Sequence, residues 1–131
     1  MKRILVPVDG SESSCRAARF AAQLARDTEA KLTLMYVLDV PAVTALELSA
    51  LTEQYMDPSK NIAAKRSFEK AEAAMGEVQE VDHVVAVGVP PQEILAFASE
   101  NRFDQIVMGS RGLTPLRELL LGSVSIRTQS Q

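Results

Sequence analysis

The run Arg3-Ile4-Leu5-Val6-Pro7-Val8, followed by Asp9-Gly10-Ser11-Glu12-Ser13-Ser14, decides the fold. Its first part is apolar and rich in β-branched residues with little alternation, the pattern of a strand buried on both faces of a parallel sheet. Its second part ends that strand at Asp9 and supplies helix-capping side chains in succession. Ala17, Ala18, Phe20, Ala21, Leu24 and Ala25 then recur at helical spacing. Strand, turn and amphipathic helix therefore follow one another directly.

The same alternation continues outward from this unit. Lys31 to Val37 reads as a second strand, and 39–58 is a mixed segment with room for a short helix over 45–55. Ser59 to Met75 is rich in Ala, Lys and Glu, with Ile62, Phe68 and Ala71 on one stripe, so a helix closing at Gly76 is expected. Val81 to Val87 gives a third strand, Gly88-Val89-Pro90-Pro91 leads into a helix over Gln92 to Asn101, and Asp104 to Met108 gives a fourth strand. Strands alternating with helices imply a doubly wound, open parallel α/β sheet of Rossmann-like type, with helices on both faces and right-handed crossovers.

Bulk properties narrow the function. A chain of 131 residues with 47% hydrophobic and 24% charged residues is expected to form one globular domain over 1–131. The net charge of −3 speaks against general nucleic-acid binding, which draws on many basic contacts to phosphate. Cys15 is the only cysteine, which excludes an intramolecular disulfide. The basic N-terminus has only a short apolar run, interrupted by Pro7 and Asp9, so neither a signal peptide nor a membrane span is expected. A cytoplasmic protein without a membrane partner is the resulting expectation.

In open parallel sheets, ligands bind beyond the carboxyl ends of the strands, where the strand order reverses. Two such ends carry unusual residues: Asp9-Gly10 after the first strand, and Gly109-Ser110-Arg111-Gly112 after the fourth. Three of the six glycines fall between Gly109 and Gly122, and Gly122 is followed by Ser123-Val124-Ser125, which reads as the opening of a further helix. Glycines let successive backbone N–H groups converge on an anion, and a helix N-terminus adds unpaired N–H groups. Arg111 and Arg117 are candidates for added positive charge. The glycines also read as ordinary loop turns and a helix cap.

Other nucleotide and catalytic signatures are lacking. No G-x-x-x-x-G-K-[ST] loop is present, and no G-x-G-x-x-G follows the first strand. His83, the only histidine, lies within the third strand, where a structural or edge role is expected.

Ile4-Leu5-Val6-Pro7-Val8-Asp9-Gly10-Ser11, Tyr36-Val37-Leu38-Asp39, and Gly109-Ser110-Arg111-Gly112 followed after nine residues by Gly122-Ser123 together resemble the ATP-binding branch of the universal stress protein family. The resemblance implies ATP as ligand, carried with magnesium. It places Asp9 near ribose, phosphates and the metal ion, with Pro7, Val8 and Met108 alongside, and the backbone of Val37 against adenine. Gly109, Ser110, Arg111, Gly112, Gly122, Ser123, Val124 and Ser125 would hold ribose and phosphates.

The resemblance further implies a nucleotide-dependent sensor or regulatory module of the stress response, assembling as a homodimer. Family members continue beyond the Gly-Ser pair through a helix into a last apolar strand, whereas Ile126 to Gln131 is polar. That last family strand, through which the dimer commonly pairs, is therefore expected to be missing. Two rival readings stay open: slow ATP hydrolysis assisted by Asp9 and a metal, or another nucleotide enzyme of α/β fold; and a nucleotide-free interaction protein.

Overall fold

The computed structural model describes residues 2–39, 57–78, 80–109 and 125–129. The segment over 45–55 lies outside them. Strand β1 (Arg3–Pro7) leads into helix α1 (Glu12–Thr28) and strand β2 (Lys31–Asp39). Helix α2 (Ile62–Met75), strand β3 (Val81–Gly88), helix α3 (Pro90–Glu100) and strand β4 (Gln105–Gly109) follow, and Ser125–Gln129 forms strand β5. All the strand pairings are parallel, in the order β3-β2-β1-β4-β5.

The chain winds outward from β1 to β3 and then returns to β4 beside β1. Right-handed crossovers in these two directions place their helices on opposite faces of the sheet. The core divides accordingly. Ile4, Val6 and Val8 of the first strand and its extension pack with Leu32, Leu34 and Val107 beneath α1 and α2. Leu5, Met35, Ile106 and Met108 point the other way, toward Ile94 and Ala98 of α3 and toward Phe103. The period of two along β1 therefore feeds both layers.

Helix α1 sits close because its inner face is alanine. Ala17, Ala18, Ala21, Ala22 and Ala25 are all buried. Ser11 caps its first turn, accepting a hydrogen bond from the Ser14 N–H at 3.1 Å. At its far end Arg26 donates to the carbonyls of Met75 and Glu77, each at 3.2 Å, and so serves carbonyls at the C-terminus of α2.

Several sequence expectations change in detail. Helix α2 starts at Ile62, not Ser59, because Asp57 accepts hydrogen bonds from the Ser59 N–H and hydroxyl and holds a turn there, leaving buried Asn61 to cap the helix. Ile62, assigned to the apolar stripe, is 73% exposed. It is the first residue of the helix and lies before the face that Ala64, Phe68, Ala71 and Met75 bury.

The larger correction is at the C-terminus. The polar tail was expected to leave the last strand missing, yet Ser125–Gln129 pairs with β4 from Gln105↔Ser125 to Gly109↔Gln129. An edge strand needs one hydrogen-bonded ladder and no continuous apolar run, so a polar segment can fill it.

Candidate functional site

Strand order reverses between β1 and β4, which makes the carboxyl ends of these strands the switch point, the place where an open parallel sheet forms its ligand crevice. Paired residues between these strands stop at Leu5↔Ile106, although β1 runs to Pro7 and β4 to Gly109. On the opposite side, β1 remains paired with β2 as far as Pro7↔Met35, and the Val8 N–H still reaches the Met35 carbonyl at 2.8 Å. Extending these registers sets Val37 level with Asp9 and Gly109 level with Val8. Five of the residues singled out in the sequence, Pro7, Val8, Asp9, Met108 and Gly109, thus lie at the two lips of one crevice. Val37 lies one strand further along the same edge.

Asp9 occupies the turn between β1 and α1. It accepts the Ser11 N–H at 2.9 Å through Oδ1, and its own N–H donates to Ser14 Oγ at 3.3 Å. Burial is the largest single influence on its carboxyl and raises the pKa, but the Ser11 side chain and backbone, the Ser14 hydroxyl and its own backbone together outweigh it, so the pKa falls below 3.8. Asp9 as a residue is exposed, its carboxyl is only partly withdrawn from water, and it is anionic at neutral pH.

A group with a lowered folded-state pKa stabilises the protein above its unfolded value, and that stability is lost as pH falls through the folded one. Asp9→Asn is therefore expected to be less stable than wild type at pH 7, with the gap narrowing below pH 3.8. Urea unfolding at both pH values checks this; an equal gap at both would contradict it.

Gly109 is needed for a reason that the sequence does not display. A Cβ placed on it would fall on the Ser13 hydroxyl and lie 2.9 Å from Ser13 Cβ and 3.1 Å from the Ser13 carbonyl carbon. The first turn of α1 thus rests directly on the end of β4. Ser13 Oγ is buried in this seam and has no hydrogen-bond partner among the described residues. Gly10, at φ +84°, makes the sharp exit from β1 and brings its backbone toward Ser67 of α2.

The other expected site residues divide into two groups. Ser110, Arg111, Gly112, Arg117, Gly122, Ser123 and Val124 lie outside the described residues. Ser125 does not open a helix, as the sequence suggested, but begins β5 opposite Gln105. It is four strand positions from the level of Gly109, about 13 Å at the usual rise per residue, and at the amino end of the sheet. The structure does not bring it together with the crevice.

His83 is also remote from the crevice, on edge strand β3. Its ring lies 4.8 Å from that of Phe68, and Nε2 meets Glu72 Oε1 of α2. The structural role expected for it is the one that these contacts describe.

A groove of about 1070 Å³ lies at the amino ends of β2 and β3, lined by Arg26, Glu29, Lys31, Glu72, Glu77 and Glu80 among others. Electrostatics makes it unsuitable for a phosphate despite its volume. The C-termini of α1 and α2 converge there, Arg26 is engaged with carbonyls, and Lys31 pairs with Asp82 at 3.2 Å. Among the described residues no group of three His, Cys, Asp or Glu side chains could hold a metal, and no helix is long and apolar enough to cross a membrane.

Comparison with known proteins agrees with this architecture. The sequence model of the universal stress protein family matches residues 1–128. The universal stress protein YxiE of Bacillus subtilis is 34% identical over 130 residues, covering 94% of this chain and 88% of its own. Among solved structures, a universal stress protein in complex with cAMP superposes with a TM-score of 0.65 at 25% identity, covering 98% of this chain and 97% of its own. The universal stress protein of Archaeoglobus fulgidus in complex with dAMP shares the fold with a TM-score of 0.70 at 24% identity and the same coverage.

Proposed function

Because this chain belongs to the universal stress protein family, we propose that it binds an adenine nucleotide in the β1/β4 crevice, with ATP as the preferred ligand, and acts as a nucleotide-dependent module of the stress response. The observation that carries the reading is the crevice itself. It opens at the switch point of a parallel sheet, beside the N-terminus of α1, where unpaired helix N–H groups favour an anion. A relative of the same fold is in complex with cAMP, which supports the adenine nucleotide class.

Asp9 supports the choice of a metal-bound triphosphate. An exposed carboxylate that stays ionised would repel bare phosphates at this lip. Magnesium is commonly held by one or two carboxylates together with substrate phosphates, so a single carboxylate suffices when the ligand supplies the remaining oxygens. Asp9 is the residue that would hold the ion, and the ion would neutralise charge between it and the phosphates. Val37 is assigned to adenine and the backbone around Met108 and Gly109 to ribose and phosphate. Gly112, Gly122, Ser123 and Val124 belong to the same proposal.

Titration calorimetry with ATP, ADP, AMP and cAMP, each with and without magnesium, tests this reading. ATP with magnesium is expected to bind at least about tenfold more tightly than AMP, a difference of about 1.4 kcal/mol, and removing the metal is expected to erase most of that advantage. ATP binding no tighter than AMP in the presence of magnesium would overturn the ATP assignment.

A further inference from the structure

We infer that Pro7 shapes the wall of the nucleotide crevice by withholding a hydrogen bond from β4, which makes it a positioning residue for the ligand. In a parallel sheet the peptide groups of a central strand alternate between its two neighbours. Here the alternation can be assigned residue by residue. The Lys31 N–H donates to the Lys2 carbonyl and the Val8 N–H donates to the Met35 carbonyl, both at 2.8 Å, so the even-numbered groups of β1 serve β2. On the other side the Asp104 N–H donates to the Arg3 carbonyl at 3.0 Å, so the odd-numbered groups serve the β4 side. The donors available toward β4 are those of Arg3, Leu5 and residue 7.

Residue 7 is proline and has no N–H. Pairing with β4 ends at Leu5↔Ile106, just before the missing donor, whereas pairing with β2 continues past it through Val8. β1 is the middle strand of five, where proline is ordinarily excluded because it breaks a ladder. The break falls at the carboxyl end, where the two strands form the lips of the proposed site. Its consequence is chemical as well as steric. The β4 carbonyl that would have met residue 7 keeps its acceptor capacity, and that capacity faces the crevice. Of the groups on a nucleotide, ribose hydroxyls can donate to it and ionised phosphates cannot. Pro7 therefore selects for the sugar at this depth and leaves the phosphates to the N-terminus of α1.

This inference rests on the nucleotide reading above, and the experiment separates the two. Pro7→Val restores the donor with a good strand former, and Pro7→Ala does so with minimal bulk in case the valine does not fold. Each variant is compared with wild type by melting temperature, by hydrogen exchange at the residue 7 amide, and by calorimetry with ATP and 2′,3′-dideoxy-ATP. A folded variant is expected to melt at or above the wild-type temperature and to protect the new amide. It is expected to bind ATP at least about tenfold more weakly and to lose the wild-type preference for ATP over the dideoxy analogue.

A protected amide with unchanged ATP affinity would overturn the ligand role, and an unprotected amide in a folded variant would overturn the ladder argument. Wild-type protein that binds no adenine nucleotide would overturn the proposed function, while exchange at residue 7 would still decide whether proline interrupts the sheet.

Discussion

Leu5→Ala is expected to lower the unfolding free energy by about 2–5 kcal/mol, the range for truncating a leucine in a packed core. Leu5 has 0% exposure and sits in the middle strand, surrounded by Met35, Ile94, Ala98, Phe103, Ile106 and Met108. These neighbours come from two strands, a helix and the approach to β4, so they cannot collapse together to fill the space left behind. Against the 5–15 kcal/mol typical of whole domains, the loss is a large fraction of total stability. Urea unfolding with an unchanged slope and a lower midpoint is the expected signature. A loss below about 1 kcal/mol would mean that the site relaxes far more than a packed sheet should.

Gly109→Ala is expected to cost about 1–3 kcal/mol through overpacking, although it adds only one methyl group. The Ser13 hydroxyl can rotate away from a new Cβ, but Ser13 Cβ and the carbonyl carbon of the first turn of α1 cannot move without shifting the helix. Ser13→Gly on the same background should recover part of the loss, because it removes the hydroxyl and Cβ contacts and leaves the carbonyl contact at 3.1 Å. The coupling energy from the double-mutant cycle reports the hydroxyl and Cβ part of that clash. A neutral Gly109→Ala would show that α1 is not seated on β4 and that the glycine serves another purpose.

Gly109 has a packing role that its sequence context does not display. Gly109 was legible as a glycine at the end of a buried strand, a pattern that suits an anion site and an ordinary turn alike. Its contact with Ser13 joins positions far apart in sequence, and nothing in composition or spacing predicts which side chain will meet it. β1, β2, β4 and the α1 stripe were legible because runs of buried apolar residues and helical periodicity leave clear patterns, and edge strand β3 because it is rich in valine. Ile62 was misplaced because the spacing of apolar residues does not reveal that the Asp57–Ser59 turn delays the helix start. The tail over 125–129 was misread because an edge strand obeys a weaker rule than a central one, and a polar segment satisfies it. Pro7 was visible as a residue of the opening motif. Its effect on the ladder depends on which neighbouring strand each amide faces, and that is not encoded in residue spacing.

The placement of β1 has a further consequence, for the order in which the chain closes. Arg3 meets Lys31 across a single short crossover, but Ile4 meets Gln105 only after nearly the whole described chain has been laid down. Loop-closure entropy grows with the length of chain enclosed, so the first seam is the cheaper one to shut and the second the dearer. Folding can therefore build β1, α1 and β2 as one unit, extend it through α2 and β3, and recruit β4 at the end. The late seam is also the one from which proline removes a bond, so the zipper between the two halves of the sheet stops short of its end.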